Sequence, residues 1–362
     1  MRVLMLVSDA HGGNGGIAQY NRDVIAALVA NARVSEIVVL PRGFADRSFD
    51  APPKVRYDRA AAGGMVLFVW RSLVQACFGG KFDLVFCAHS NLAFVANAAC
   101  RIARARLVVS AHGTDVWTRP RSRLAGWSMR RADLILSVSK FTVERMRGWM
   151  PGAGPETRVV PNAVNLGAFG MAAKDQGLVT RYGLEGKQVI MTLGRMAADE
   201  RAKGFDEIIA LMPRLRESCP QIVYLCAGDG DDRPRLEAKA RGLGCGDCVV
   251  FTGRIPEARK ADHYRLADAY IHPSRFEGFG IVLLEAMACG IPVVGSTADA
   301  TREALLDGEL GPSVDPQDPD ALAEAILAAI ARPKGVPARL EHYAFDKFQS
   351  RINAAIGDLM AA

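Results

Sequence analysis

Short runs of Val, Ile and Leu recur along the chain, each bounded by turn residues and most of them followed by a stretch with helical spacing. Arg2–Ser8 predicts a buried strand, and a Gly-rich turn at Gly12–Gly16 then feeds a helix from about Ile17 to Ala30. Further strands are predicted at Glu36–Leu40, Asp83–Ala88, Leu107–Ala111, Leu134–Val138 and Arg158–Val160. Near-continuous apolar strands alternating with helices predict parallel sheets covered on both faces. The alternation pauses over a turn-rich stretch, Pro161–Gly186, that has several glycines and no clear period, and a linker is expected around 162–186. It resumes with Gln188–Leu193, Ile222–Ala227, Val249–Thr252, Ala269–His272 and Pro292–Gly295. After the break at Pro333–Pro337, Tyr343–Met360 is again helical in pattern, either capping the second domain or crossing back to the first. The expected fold is α/β with two Rossmann-like domains, over 1–165 and 188–335, and a closing helical segment at 338–362.

Composition narrows the class. With 362 residues, half of them hydrophobic and 23% charged, two or three domains with real cores are expected. Disorder, a collagen-like chain and a disulfide-framed miniprotein are excluded. The eight cysteines lie mostly in apolar stretches and read as reduced core thiols of a cytosolic protein. No apolar run approaches the roughly 18 residues of a membrane span. The opening segment Met1–Ser8 is too short for a signal peptide before Asp9 interrupts it, so a soluble intracellular protein is expected.

The net charge of +6 hides an asymmetry: residues 1–175 carry 23 Lys/Arg and 12 Asp/Glu, a balance of +11, and the remainder is −5. The first half either meets something anionic or simply has an Arg-rich surface. Ligands of open parallel sheets bind beyond the carboxyl ends of strands, so residues just after strands carry the information. In the segment Phe276-Glu277-Gly278-Phe279-Gly280 and the helix that follows, Glu285 is the only charge of an otherwise apolar helix. A buried carboxylate is costly unless partnered, either by a nearby cation or by ligand hydroxyls. Glu277 precedes it by eight residues, and Gly278 and Gly280 allow close approach of backbone amides at a helix N-terminus, which favours anions. The pattern suits a sugar nucleotide, with one carboxylate on sugar hydroxyls, the other on ribose, and phosphates at the helix mouth.

Arg195, after the strand ending at Leu193, and Lys203, opening the next helix, form a cation pair suited to a diphosphate. In the first half, Gly12-Gly13-Asn14-Gly15-Gly16 departs from the G-x-G-x-x-G dinucleotide pattern, and no acidic residue follows at a suitable strand end, which argues against a dehydrogenase. His112-Gly113-Thr114-Asp115 places an imidazole at the same sheet edge. Asp229-Gly230-Asp231 is an Asp-x-Asp that could hold a divalent metal, but it sits in a post-strand turn of the second half. Cys245-Gly-Asp-Cys248 is a lone C-x-x-C leading into a strand and reads as core or loop thiols.

In this order, Gly15-Gly16-Ile17, His112-Gly113, Pro161-Asn162, Gly194-Arg195, Lys203-Gly204, Gly228-Asp229-Gly230 and Pro273-Ser274 through Glu277-Gly278-Phe279-Gly280 to Glu285-Ala286 resemble glycosyltransferase family 4. The resemblance covers nearly the whole chain, and its E-x7-E element is its most specific part. It implies a GT-B fold with two parallel-sheet domains facing across a cleft and the last helix crossing back to the first domain. It also implies a metal-independent retaining hexosyltransferase without a cofactor, acting in bacterial exopolysaccharide, capsule or cell-envelope synthesis. The donor would be a nucleotide sugar, the acceptor a glycan or lipid-linked molecule, and no nucleic acid is expected. By position, Glu277 would contact the donor sugar, Glu285 the ribose, and Arg195 and Lys203 the diphosphate. His112 would sit by the transferred sugar, Gly15 and Gly16 would line the donor phosphates, and Arg254-Ile255 would offer backbone to the base. Gly278, Phe279 and Gly280 complete the expected donor site. Arg195 and Lys203 are eight residues apart where the family's commoner spacing is about five, which leaves Arg201 as a substitute for Lys203 or a partner to it.

A UDP- or GDP-sugar is the expected donor, and a sugar-nucleotide epimerase or a non-catalytic nucleotide-sugar sensor on the same fold stays open. Localisation is expected to be cytoplasmic, with a peripheral place on the inner face of the membrane. That expectation rests on Arg119, Arg121, Arg123, Arg130 and Arg131 interleaved with Trp117, Leu124 and Trp127. The apolar stretch Met65–Phe78 is a second lipid candidate, although Phe68 and Trp70 are expected to be core.

Overall fold

A computed structural model describes residues 1–13, 15–44, 48–120, 122–150, 152 and 154–362. The chain divides into two compact units, Met1–Ala163 with Phe345–Ala362, and Val164–Ala344. The first unit runs β1 (Arg2–Val7), α1 (Gly16–Ala30), β2 (Glu36–Pro41), β3 (Val55–Tyr57), α2 (Met65–Phe78), β4 (Leu84–Cys87) and α3 (Ala93–Ala103). It continues with β5 (Arg106–Ala111), α4 (Arg123–Met129), β6 (Leu134–Ser137), α5 (Lys140–Trp149) and β7 (Glu156–Val159). The second unit holds α6 (Gln176–Tyr182), β8 (Gln188–Leu193), α7 (Phe205–Ser218), β9 (Ile222–Ala227), α8 (Arg233–Gly242), β10 (Val249–Gly253) and α9 (Lys260–Leu266). Then come β11 (Ala269–Ile271), α10 (Ile281–Ala288), β12 (Val293–Ser296), α11 (Thr301–Ala304), β13 (Ser313–Val314) and α12 (Pro319–Ile330). The closing helix, α13 (Phe345–Ala361), packs on α1 and belongs to the first unit.

Both sheets are wholly parallel, with strand orders β3-β2-β1-β4-β5-β6-β7 and β10-β9-β8-β11-β12-β13. Strand order reverses between β1 and β4 in the first sheet and between β8 and β11 in the second. Each reversal opens a crevice at the carboxyl ends of the two strands, where a doubly wound sheet takes its ligand. Every residue of β9 is buried, as expected of a parallel strand covered on both faces.

Three features depart from the sequence expectations. The stretch 162–186 is no free linker, because all but its first two residues belong to the second unit and it contains α6. The short strands β3 and β13, three and two residues long, add an edge to each sheet and were not expected. Seven cysteines are buried as expected, whereas Cys77 on α2 is exposed.

Candidate functional site

The second sheet's switch point is built by four loops. Thr192 on β8 donates its hydroxyl to the carbonyl of Ile271 at 2.7 Å and accepts from the Tyr224 hydroxyl at 2.9 Å. This buried clasp fixes the end of β8 against the end of β11. Two glycines let the loops converge there. Gly228 has φ +120°, and a Cβ on it would fall 2.0 Å from the carbonyl oxygen of Gly194. Gly204 has φ +90° at the start of α7, and its Cβ would fall 2.6 Å from the Pro273 ring.

At this convergence the Lys203 ammonium meets Glu277 in an ion pair with both side chains largely buried. His272 Nε2 lies 3.5 Å from the same carboxylate oxygen. The Glu277 backbone N–H donates to Asp299 at 2.9 Å, and Asp299 is in turn held by the Thr301 hydroxyl at 2.6 Å and the Thr301 N–H at 3.0 Å. Burial would raise the Glu277 pKa, but the Lys203 charge, with the His272 ring beside it, outweighs burial and holds the carboxyl at about 2. Burial likewise opposes the charge on Lys203, and Glu277 more than offsets it, so the ammonium's pKa is raised. Asp299 behaves oppositely: burial dominates and pushes it up to about 6.

Glu285, on α10, is buried as the sequence predicts. Its carboxylate accepts from the Tyr264 hydroxyl at 2.7 Å and from Lys260 Nζ at 3.2 Å. Burial raises its pKa, with Lys260 and Tyr264 opposing the rise. Its charge is therefore met by a lysine of α9. Gly280, at φ +96°, precedes the first turn of α10, and no side chain caps that turn.

Arg195 is exposed and paired with Glu200 in its own loop. Arg201 turns to Asp232 at 3.1 Å, so of the two cations near the helix start it is Lys203 that adjoins Glu277. Arg254 is exposed and Ile255 half-buried after Gly253, whose carbonyl accepts from Gly228 N–H at 3.1 Å. Gly278 is half-buried beside Glu277. The Phe279 side chain packs on Tyr343 in the interior, ring centroids 5.5 Å apart, so only its backbone faces site chemistry. Asp229 accepts from the Gly230 N–H and lies 3.7 Å from Arg233, and Asp231 accepts from Ala198 N–H at 2.9 Å. The Asp-x-Asp thus braces the loop that carries Arg195. Cys245 and Cys248 are buried thiols, each donating to a backbone carbonyl.

In the first unit, Gly15 (φ +90°) precedes α1, Gly16 is that helix's first residue, and among the described residues no side chain caps its first turn. His112, just beyond β5, has Nε2 at 2.7 Å from the Ala88 carbonyl, and its backbone N–H donates to Asp115 at 3.0 Å. Its ring stands edge-on to Tyr20 at 5.1 Å. Asn14, within the same Gly-rich turn, lies outside the described residues.

Comparison with known proteins establishes the family and the fold. The Glycosyltransferase Family 4 model matches residues 14–168, and the model for group 1 glycosyl transferases matches 187–332. The chain belongs to glycosyltransferase family 4. It is 34% identical, over 98% of its own length and 96% of the relative's, to a GDP-mannose-dependent α-(1-6)-phosphatidylinositol monomannoside mannosyltransferase of Mycolicibacterium smegmatis. A protein of the same description from Mycobacterium tuberculosis is 27% identical over 90% of the chain and 88% of the relative. Among solved structures, Anabaena HepE in complex with UDP-glucose superposes with a TM-score of 0.75 at 21% identity, covering 99% of this chain and 100% of that one. This family-4 chain has the GT-B fold, with two parallel-sheet α/β units, and it is a glycosyltransferase.

Sequence reasoning missed four residues of the site. His272 directly follows β11 and Asp299 lies three residues beyond β12, and those post-strand positions were a usable signal. Lys260 and Tyr264 carried none, because their helix begins 25 residues before Glu285 and only folding brings them to it.

Proposed function

We propose that the enzyme transfers a hexosyl group, with retention and without a metal ion, from a nucleotide sugar to a lipid-linked acceptor. GDP-mannose and a phosphatidylinositol-type glycolipid are the pair to test first. The observation that carries the reading is the Lys203–Glu277 pair at the second sheet's switch point, beside the uncapped start of α10. Lys203 and the α10 amides supply positive potential for the leaving diphosphate, and Arg195 can swing to it from the surface. Glu277, a carboxylate at every physiological pH, accepts hydroxyl hydrogen bonds from the donor sugar. Glu285 accepts from ribose with the lone pairs that Lys260 and Tyr264 leave open. Glycine backbone at Gly278 and Gly280 lets phosphate come close, Gly15 and Gly16 open α1 in the same way, and Arg254-Ile255 offers backbone to the base. His112 stands by the transferred sugar. The departing phosphate oxygen takes the acceptor's proton on the front face, so no protein nucleophile is needed. The likeness to the M. smegmatis mannosyltransferase over almost the whole chain supports the choice of donor and acceptor.

The same reading extends to a membrane surface for the first unit. Among the described residues no helix is long and apolar enough to cross a membrane. Yet α2 packs on α3 and α3 on α4, and these helices expose Val66, Trp70, Phe78, Phe94, Ile102, Leu124 and Trp127. Phe68 is core as expected; Trp70 is not, being 55% exposed. Arg131 and Arg101 lie over the Trp127 ring at 4.4 and 5.6 Å, and Arg119, Arg123 and Arg130 are exposed nearby in sequence. Arg121 lies outside the described residues. Rings with basic companions suit the interface of an anionic bilayer that presents a lipid-linked acceptor.

The deciding experiment incubates the full chain with UDP-, GDP- and ADP-sugars, with and without acceptor lipid, and follows transfer, hydrolysis and epimerisation. Acceptor-dependent product with the donor's anomeric configuration is expected. Donor epimerised without acceptor, or bound and never turned over, would favour the two rival readings.

A further inference from the structure

His272 is 1% exposed, and among the described residues neither of its ring nitrogens has a hydrogen-bond partner. Buried imidazole nitrogens are normally satisfied, so this ring is held ready for something. It is fixed from behind, lying near-parallel to the Tyr270 ring at 6.2 Å, while Tyr270's hydroxyl is tied to the Leu193 backbone at 3.1 Å. Its Nε2 stands 3.5 Å from Glu277 Oε2, just beyond a formed hydrogen bond, and that same oxygen is the one that Lys203 holds. The charged groups facing the ring are thus Glu277 and Lys203, with Asp299 on the far side of Glu277.

The arrangement sets a conflict. A lysine engaged by a carboxylate cannot also give its full charge to a diphosphate, and a buried carboxylate abandoned by its lysine is costly. We infer that His272 is a positioning residue that takes over Glu277 when a nucleoside diphosphate draws Lys203 away. A movement of well under 1 Å would let an Nε2–H donate to Oε2, replacing one donor to that oxygen by another. Lys203 is then free for phosphate oxygens, and the second Glu277 oxygen stays open to sugar hydroxyls. This inference rests on the reading of Lys203 as a diphosphate ligand.

The test is calorimetric titration of the full chain with GDP and with UDP, comparing variants whose melting temperatures are checked first. Lys203→Met should weaken the better-bound diphosphate about tenfold or more; unchanged binding would overturn the diphosphate reading and this inference with it. His272→Phe, which removes the alternative donor, should weaken binding about five- to tenfold, and His272→Gln, whose amide can replace Nε2–H, should restore most of it. In a Glu277→Gln background, where no charge needs a new partner, His272→Phe should cost nothing further. A merely structural histidine would cost the same in both backgrounds. Loss with Lys203→Met but none with His272→Phe, or equal loss in both backgrounds, would overturn the handover alone. Should His272→Phe fail to fold, imidazole ¹⁵N spectra of the wild type, assigned by His272→Gln, decide: diphosphate should shift Nε2 as it becomes a hydrogen-bond donor, and an unmoved resonance would overturn the proposal.

Discussion

Lys203 and Glu277 are 74 residues apart in the chain and meet as a largely buried ion pair where the ends of β8 and β11 lie side by side. Glu277→Gln keeps the volume and removes the charge that engages Lys203. Turnover should fall by at least about tenfold, because sugar hydroxyls lose a charge-assisted acceptor, while diphosphate binding should hold or improve. Steady-state kinetics beside calorimetry would show the split. A proportional loss of both would contradict the assigned roles.

Glu285 predicts a different signature. Glu285→Gln should weaken donor binding by roughly 1.5–3 kcal/mol for each charge-assisted hydrogen bond lost. It also leaves Lys260 short of one carboxylate, with only Glu257 at 3.0 Å, so the melting temperature should drop. Adding Lys260→Met should recover stability but not donor affinity. Recovery of both would mean that the carboxylate serves only its lysine.

Asp299 gives a pH dependence with a definite sign. Its folded pKa of about 6 lies above the ordinary aspartate value of 3.8, so the folded state holds a proton that the unfolded state has released between those values. Stability should therefore fall as pH rises from about 4 to 6, by on the order of 2–3 kcal/mol from this group. Urea denaturation across that range should show a shallower fall in Asp299→Asn. A wild-type curve that is flat, or a variant curve that is equally steep, would refute the assignment.

Metal independence is testable directly. Activity should survive excess EDTA, with Arg195→Ala more damaging than Asp231→Ala. Since Asp231 braces the loop through Ala198 N–H, its alanine variant should raise KM modestly without creating a manganese requirement. Abolition by EDTA with rescue by manganese would restore the metal reading of Asp229-Gly230-Asp231.

Vesicle flotation checks the membrane surface. Binding to anionic vesicles should be lost as salt rises, each arginine near the surface contributing about 1 kcal/mol. Replacing Arg119, Arg121 and Arg123 by Ser should weaken it without altering GDP binding. Trp70→Ser and Trp127→Ser should weaken what remains at high salt. Equal recovery with neutral and anionic vesicles at low salt would leave the first unit without a lipid role.

The sequence by itself determined the parallel α/β architecture, because doubly buried strands must be apolar throughout and the helices between them must be long enough to cross over. It also placed Glu277, Lys203 and His112 in segments that follow strands, and Glu285 on the helix after one, since post-strand positions in such sheets converge on ligand sites. Pairwise partnership was beyond it. That Glu285 is met by Lys260 and Tyr264, that Lys203 and not Arg201 adjoins Glu277, and that the His272 ring stands 3.5 Å from Glu277 are decided by strand order. Strand order brings β8 against β11 across 75 intervening residues of chain, and no local periodicity encodes it. Trp70 shows the same limit from the apolar side. A continuous hydrophobic run makes α2 legible as a helix, but which of its large residues find the core depends on the neighbour that covers them, and α3 covers only one face.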